Sequence, residues 1–299
     1  MAIIFFFIDG IGIGKQGKEN PFSNRPYSSL QRLSEADFLD ETAQPISKER
    51  LVFKGLDACL DVEGLPQSGT GQTALFTGIN ASQHLGKHFG PFPHSGIKPF
   101  LKKDSIFHKC IESDLRPAFL NAYPPIFFER SKARNRWSCT TLMAQSAGLQ
   151  LLSTEDVRQG KAVTAEFFGD YWREKLGIVL PKRKGEDIAE IITDLAEEHD
   201  LILFEYYLTD KAGHDRDPDF AQDVLQRLDQ VLLPLIDKLG RHTFILSSDH
   251  GNIENLSIKT HTRNPVPLFA FGPLAHHFNH AESILDVTPT ILSALKAES

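Results

Sequence analysis

The sequence has few cysteines, no long apolar run and no excess of basic residues. Its three cysteines, Cys59, Cys110 and Cys139, show no CxxC spacing, which argues against a disulfide framework or a zinc ribbon. No stretch reaches the about 18 consecutive apolar residues of a membrane span. The net charge is −7, and a protein without a basic face binds phosphate backbones poorly. We therefore expect a cytoplasmic protein with reduced thiols that binds neither nucleic acid nor membrane.

Three apolar runs indicate strands that are buried on both faces. They span residues 2–8, 201–208 and 243–246, and turn-forming residues follow each of them. Helical patterns at 186–199 and 219–239 alternate with the last two runs. This alternation predicts an α/β fold in which helices cover a mainly parallel sheet. We expect one domain over residues 1–299, with a small, weakly periodic insertion at about 124–185.

Each of the three runs ends at an aspartate. Asp9 follows the first run, Asp210 follows the second, and Asp249-His250 follows the third. Taken singly, an aspartate after a strand is usually a turn former or a helix cap. In an open parallel sheet, however, ligands bind beyond the carboxyl ends of the strands. Three aspartates at equivalent positions therefore predict a functional site.

Histidines near these aspartates complete a set of metal ligands. His214 lies four residues after Asp210, and His261 lies in a Thr-His-Thr segment. The donors are Asp9, Asp210, His214, Asp249, His250 and His261. Three carboxylates and three imidazoles suit Mn²⁺ or Zn²⁺, and are too rich in nitrogen for Ca²⁺ or an ordinary Mg²⁺ site. Six ligands favour two divalent ions, the usual arrangement for displacement at phosphorus.

A loop rich in glycine and hydroxyl groups lies at residues 64–73 and leads into an apolar segment. It lacks the lysine of a Walker loop. Small turn residues that cap a helix would explain it. The alternative is a hydroxyl at a helix N-terminus, where free N–H groups favour anions. Ser68, Thr70 and Thr73 are the candidate hydroxyls.

With these motifs in this order, the chain resembles the alkaline phosphatase superfamily. The resemblance is to the metalloenzyme branch that contains cofactor-independent phosphoglycerate mutase and phosphopentomutase. It rests on Asp9-Gly10, Gln67-Ser68-x-x-Gly71, Asp210-x-x-Gly213-His214, Ser248-Asp249-His250-Gly251-Asn252 and Thr260-His261-Thr262. The resemblance implies an alkaline-phosphatase-like three-layer sandwich. It also implies one ion on Asp9, Ser68, Asp249 and His250, a second on Asp210, His214 and His261, and Ser68 as the nucleophile.

The resemblance implies a two-metal-dependent phosphohydrolase that acts on a small phosphorylated metabolite through a phosphoserine. One alternative is a phosphomutase with a reduced cap, although the insertion is short and Gln72 stands where the mutase loop has histidine. The other is a catalytically silent metal-binding protein. The candidate residues for contact with the substrate phosphate are Lys87, His88, Arg134 and Arg136. The alternative for each is an ordinary solvent-exposed side chain. The sequence predicts no oligomeric state.

Overall fold

The three predicted strands and two predicted helices form where the apolar patterns indicate, with small shifts at their ends. The computed structural model describes residues 1–134 and 136–297, without the side chains of Ser131, Lys132 and Arg134. The strands in these ranges are β1 (Ile3–Ile8), β2 (Ile46–Ser47), β3 (Leu51–Leu56), β4 (Pro117–Phe119), β5 (Asn121–Ala122), β6 (Val163–Thr164), β7 (Leu201–Tyr206), β8 (Thr243–Ser247) and β9 (Val266–Phe271).

The helices in the same ranges are α1 (Pro21–Asn24), α2 (Ser28–Ser34), α3 (Ser68–Thr77), α4 (Ala81–Leu85), α5 (Lys98–Lys103), α6 (Ile106–Glu112), α7 (Pro125–Arg134), α8 (Cys139–Ser146), α9 (Thr154–Arg158), α10 (Asp170–Leu176), α11 (Gly185–Glu198), α12 (Leu208–Asp215), α13 (Pro218–Lys238) and α14 (Val287–Ala297). Short 3₁₀ segments at Ala275–His280 and Ile284–Asp286 precede the last helix. No helix in the described ranges is long and apolar enough to cross a membrane.

A seven-stranded mixed sheet forms the centre of the molecule, in the order β2-β3-β9-β8-β1-β7-β4. Strands β4, β7, β1 and β8 run parallel, whereas β9, β3 and β2 add antiparallel pairings at one side. All six residues of β1 are buried because the strand lies between β8 and β7. The predicted α/β fold with a mainly parallel sheet is confirmed.

Helices cover both faces of the sheet, and the alternation of side chains along β1 shows how. Phe6 belongs to an apolar core that includes Ile188 of α11 and Val224 of α13. Its neighbour Phe5 belongs to the opposite core, with Phe107 of α6. Because successive residues of a strand point to opposite faces, each strand contributes to both cores. The result is the predicted three-layer sandwich.

Local signals explain where the longest helix begins and ends. The side chain of Asp217 accepts hydrogen bonds from the first backbone amides of α13, and Pro218 occupies its first turn. Gly240, with a positive φ of 57°, allows the chain to leave the helix. The predicted strand at 201–208 is too long, because β7 ends at Tyr206 and Leu208 already begins α12. This early turn brings Asp210 back over the end of the strand.

The register of the parallel strands places their carboxyl ends at one edge. Ile8 pairs with Tyr206 of β7, and Phe7 pairs with Ser247 of β8. The residues that follow these three strands therefore emerge side by side. They include Asp9, Asp210 and Asp249-His250.

Residues 124–185 lie beside this edge and pack partly into the two main cores, with Met143 in one and Phe167 in the other. They contain α7, α8, α9, α10 and β6, and β6 pairs with β5 in a two-stranded sheet. Trp172, Val157 and Leu180 share a small apolar cluster of their own. Several residues of this segment line a cavity together with Asp9 and Ser68. That the segment is an insertion in one domain stays a prediction.

Candidate active site

Four predicted ligands, which we call the inner set, meet around one histidine nitrogen. The inner set consists of Asp9, Ser68, Asp249 and His250. The Nε2 atom of His250 lies 3.0 Å from Ser68 Oγ, 3.4 Å from Asp9 Oδ1 and 3.4 Å from Asp249 Oδ2. Ligand atoms about 2.0–2.1 Å from an ion lie about 3.4 Å apart in a tetrahedron and about 3.0 Å apart in an octahedron. The observed spacings fit a divalent ion.

The remaining three ligands, the outer set, are equally close together. The outer set consists of Asp210, His214 and His261. The two Nε2 atoms of the histidines are 3.1 Å apart, and each lies 3.4 Å from a carboxylate oxygen of Asp210. Ligand atoms of Asp210, Asp9 and His250 also lie within 4.8 Å of one another, so the two sets adjoin. The structure thus brings together all seven predicted ligands.

Backbone carbonyls fix the orientation of the two outer histidines. Nδ1 of His214 lies 2.8 Å from the carbonyl oxygen of Lys259, and Nδ1 of His261 lies 2.7 Å from that of Pro66. Since a carbonyl can only accept, each Nδ1–H donates and each Nε2 keeps its lone pair in the neutral ring. Two lone pairs 3.1 Å apart repel each other unless a proton or a cation lies between them. This arrangement fits a metal ion.

The inner set has buried polar atoms that no protein group satisfies. Asp9 Oδ1, Asp249 Oδ2 and His250 Nδ1 lack a hydrogen-bond partner. Burial, together with Asp210, raises the pKa of Asp249 to about 7. Burial and the Asp249 charge raise the pKa of Asp9 well above its usual range. Burial and His261 lower the pKa of His250 to about 3. A bound cation would be the missing partner of the two carboxylate oxygens and would favour their charged form.

In the outer set the charged groups stabilise one another. Burial opposes the ionisation of Asp210. Without an ion, hydrogen bonds that His214 and His261 donate from Nε2 in their protonated form outweigh burial and lower the pKa of this carboxyl. The same contact with Asp210 raises the pKa of His214. Burial acts against protonation of His261, yet Asp210 raises its pKa overall.

Two glycines allow the ligand-bearing segments to approach one another. Gly10 has a φ of 73°, and a Cβ atom there would lie 2.8 Å from Cβ of Asp210. A Cβ on Gly71 would lie 2.7 Å from the backbone oxygen of Asp249. Real Cβ atoms essentially never approach so closely, so a side chain at either glycine would push the strand ends apart.

Of the three candidate hydroxyls, only Ser68 points toward the metal ligands. The hydroxyl of Thr70 donates to the carbonyl of Gln67 at 3.2 Å, and that of Thr73 donates to the carbonyl of Gly69 at 2.7 Å. Ser68 begins α3, and it is buried next to His250. The two threonines therefore pack and brace the helix.

Sequence patterns alone missed three polar residues that hold the ligands in place. Gln72 donates from Nε2 to Asp9 Oδ2 at 3.2 Å. Asn252 donates to Asp210 Oδ1 at 2.6 Å. Glu254, 2% exposed, accepts from the backbone N–H of Gly12 and of Asn252. Asn252 lies in the quoted Ser-Asp-His-Gly-Asn motif, so its place was visible but its role was not.

A buried carboxylate was also missed. Glu205 of β7 is 8% exposed and accepts a 2.7 Å hydrogen bond from Thr140 Oγ1. Burial raises its pKa to about 7, although Thr140 acts in the opposite direction. Its charge in turn contributes to the raised pKa of Asp9. A glutamate inside an otherwise apolar strand was the available signal.

The four predicted phosphate contacts are placed differently. Lys87 is exposed, and His88 Nε2 lies 3.3 Å from the carbonyl oxygen of Val62. Neither is among the described residues that line the cavity next to Ser68. The guanidinium of Arg136 lies 4.4 Å from the ring centre of Phe92, which does line it. The side chain of Arg134 lies outside the described residues.

The three-layer fold and the oxygen- and nitrogen-rich donor sets define an α/β metalloenzyme. The chain belongs to the Metalloenzyme superfamily, whose family model matches residues 1–299. Membership implies that it binds divalent metal, and the inner and outer sets provide clusters of ligands for it.

Known relatives match part of the chain at low identity. The 2,3-bisphosphoglycerate-independent phosphoglycerate mutase of Pyrobaculum aerophilum is 33% identical over 88 residues, or 29% of this chain and 21% of the mutase. That of Pyrobaculum calidifontis is 36% identical over 84 residues, or 28% of this chain and 20% of the mutase. The matches thus span about a fifth of these longer relatives.

Solved structures share the fold over nearly the whole chain. The PH0037 protein of Pyrococcus horikoshii has a TM-score of 0.59 and 12% identity, covering 99% of this chain and 97% of that one. The alkaline phosphatase of the Antarctic bacterium TAB5 has a TM-score of 0.54 and 14% identity, covering 99% and 98%. The resemblance to the alkaline phosphatase superfamily is confirmed. The family model also confirms the expected metalloenzyme.

Proposed function

We propose that the protein is a two-metal-dependent phosphohydrolase that acts on a small phosphorylated metabolite through a phosphoserine at Ser68. One observation supports this above the rest: Ser68 is the hydroxyl of its loop that faces the inner set, 3.0 Å from His250. The donors favour Mn²⁺ or Zn²⁺, since three carboxylates and three imidazoles without a thiolate suit these ions.

The reaction consists of two displacements at phosphorus. Ser68 Oγ gives up its proton to water and attacks in line. An O–P bond forms, the bond to the leaving oxygen breaks, and that oxygen takes up a proton from water. Bound divalent ions supply the positive charge that lowers the pKa of the serine hydroxyl and stabilises the departing oxygen. Water then cleaves the phosphoserine and releases inorganic phosphate. Because each displacement inverts the phosphorus, the overall result is retention.

Residues around the ligands keep this geometry fixed. Gln72 holds one oxygen of Asp9, and Asn252 holds one oxygen of Asp210. The carbonyls of Pro66 and Lys259 hold the outer histidines in the tautomer that leaves Nε2 free. Such fixed contacts align the nucleophile before the reaction begins.

The test is a screen of phosphorylated metabolites and phosphodiesters with protein loaded with Mn²⁺ or Zn²⁺. Ser68→Ala is expected to lower kcat by about 10⁴-fold, as removal of a nucleophile does in covalent catalysis. Thr70→Ser is the matched control, because it keeps a hydroxyl on the same loop. Acid trapping followed by peptide mass spectrometry is expected to place the phosphoryl group on Ser68.

The same experiment separates the alternatives. Transfer of the trapped phosphoryl group to water supports the hydrolase, whereas transfer to a second hydroxyl of the substrate indicates a phosphomutase with a reduced cap. Absence of both turnover and phosphoserine with either ion indicates a catalytically silent metal-binding protein. Label on Thr70 or Thr73 contradicts the assignment of the nucleophile.

A further inference from the structure

The cavity next to Ser68 is larger than a three-carbon phosphoacid requires. Asp9, Ser68 and Asp210 line one end of it, and its volume is about 550 Å³. Such volumes fall in the range of about 300–1,000 Å³ that holds drug-sized ligands. Phosphoglycerate has about eleven non-hydrogen atoms. A water molecule in the liquid occupies about 30 Å³, and even if each atom occupied as much, the molecule would fill about 330 Å³. The cavity therefore has room for a larger organic group.

Aromatic rings form much of the wall of this cavity. We call Phe92, Tyr123, Phe127, Trp172 and Tyr207 the aromatic wall. The rings of Tyr123 and Phe127 stack with centres 4.1 Å apart at 26°, so each holds the other in place beside the cavity. The five residues come from different segments of the chain, yet they converge beside the nucleophile. Aromatic faces favour flat apolar ligands, because rings stack on them and lose water.

The charge of the lining argues against an anionic organic group. Arg130 is the one lysine or arginine among the described residues that line the cavity, and its side chain lies at the exposed side. The acidic residues there are Asp9, Glu205 and Asp210. With Asp9 and Asp210 occupied by the proposed ions, a second carboxylate on the substrate would find one arginine, Arg130, and one further carboxylate, Glu205, among the described lining residues.

We propose that the aromatic wall binds the leaving group of the substrate and that this group is flat, apolar and uncharged, as in an arylalkyl or aryl phosphate monoester. The inference rests on the proposed function for the reaction and adds the class of substrate. When Ser68 Oγ forms its bond to phosphorus, the bond from phosphorus to the leaving oxygen breaks. Through water, that oxygen takes up the proton that the Ser68 hydroxyl gives up, and the alcohol leaves along the aromatic wall.

Binding can be tested without metal and without turnover. The sequence has two tryptophans, and Trp137→Phe leaves Trp172 of the aromatic wall as the single fluorescent reporter. Benzyl alcohol, glycerol and glycerate are the probes, because they are the alcohols released from three simple phosphate monoesters. We expect benzyl alcohol to change Trp172 fluorescence and to bind at least about tenfold more tightly than the other two. Equal or tighter binding of glycerate overturns the proposal.

Kinetics provide the second arm, with benzyl phosphate, glycerol 3-phosphate and 3-phosphoglycerate as substrates of the metal-loaded enzyme. Phe127→Leu is expected to lower kcat/KM for benzyl phosphate about tenfold and to leave that of the smaller substrates nearly unchanged. Phe100→Leu is the matched control, since Phe100 of α5 is half-buried, contacts the ring of His84 and is not among the described residues of the cavity lining. A preference for 3-phosphoglycerate, or equal losses in both variants, overturns the proposal.

The two arms distinguish failure of the inference from failure of the proposed function. If none of the three esters is hydrolysed and Ser68 is never phosphorylated, the hydrolase proposal fails. The binding of benzyl alcohol against glycerate then decides by itself whether the aromatic wall recognises apolar groups. If phosphoserine forms and 3-phosphoglycerate is the best substrate, the hydrolase proposal stands and the substrate class is wrong.

Discussion

The inner and outer sets lie side by side but differ in their exposure to water and in their balance of charge. Asp249 and His250 have no exposed side-chain surface, whereas 45% of the His214 side chain is exposed. In the outer set Asp210 is paired with His214 and His261, which stabilise its charge. In the inner set buried carboxylate oxygens lack hydrogen-bond partners.

This difference indicates what each set requires from a cation. The outer set can balance its own charge, because protonated histidines and Asp210 attract one another when no ion is present. The inner set contains carboxylates and a histidine whose pKa is lowered, so without an ion it is either protonated or under electrostatic strain. We infer that the inner set depends more strongly on its ion, and the outer set exchanges its ion more readily.

The largest expected effect separates the two sets by activity. Asp249→Asn removes a carboxylate of the inner set, to which Ser68 belongs. The substitution is expected to lower kcat by about 10³-fold or more, because losing a group that activates the nucleophile has effects of this size. His214→Asn in the outer set is expected to cost less, because this side chain is half exposed and lies farther from the nucleophile's partner His250. Steady-state rates of phosphate release measure both. A larger loss for His214→Asn would reverse the ranking.

The next effect concerns stability. In metal-free protein at pH 8, Asp249→Asn is expected to raise Tm, because it removes a buried charge with an unsatisfied oxygen. An ion whose concentration is a hundred times its Kd raises the free energy of unfolding of the wild-type protein by about 2.7 kcal/mol. The variant is expected to lose most of this stabilisation. Thermal unfolding with chelator and with Mn²⁺ measures both changes. A lower Tm for the metal-free variant would show that Asp249 stabilises the fold in another way.

A smaller effect concerns pH. The pKa of Glu205 is raised from 4.5 to about 7 by burial, so between these values the folded protein holds a proton that the unfolded chain has released. The contribution of Glu205 to stability is therefore present at low pH and falls as pH rises toward 7. As pH rises through this window, the free energy of unfolding of metal-free Glu205→Gln is expected to increase relative to that of wild type. The increase is about 1.4 kcal/mol per pH unit and a few kcal/mol at most. Urea unfolding at several pH values measures the difference, and a constant difference contradicts the assignment.

The smallest effect concerns a contact to the inner set. Gln72→Ala leaves all seven ligands in place but removes the donor to Asp9 Oδ2. Loss of such a supporting contact typically lowers metal affinity or activity about 10–100-fold, and the lower end is expected here because one hydrogen bond is lost. Metal titration and kcat together measure it. The outer set offers the control Asn252→Ala, which removes the donor to Asp210 instead.

Much of the site could be predicted from the sequence, because its residues follow buried strands. Buried runs that stop at Asp9, Asp210 and Asp249 identified a common edge, because parallel strands end on the same side. Glu205 could not be assigned in this way, since only the packing of β7 against Thr140 shows what surrounds its carboxylate. The position of Gln72 depends on the rotation of α3, which tertiary contacts determine. The aromatic wall likewise comes from separate segments that no local pattern connects.

The central position of β1 in the sheet has a consequence for folding. Ile3 pairs with Leu201 on one side and with Thr243 on the other. The first strand can therefore pair only after segments about 200 and 240 residues later in the chain have been made. Contacts between such distant segments make folding slow. During synthesis the inner set is complete only after residue 250 has left the ribosome, and the outer set only after residue 261. Tight uptake of metal is therefore expected to mark the end of folding.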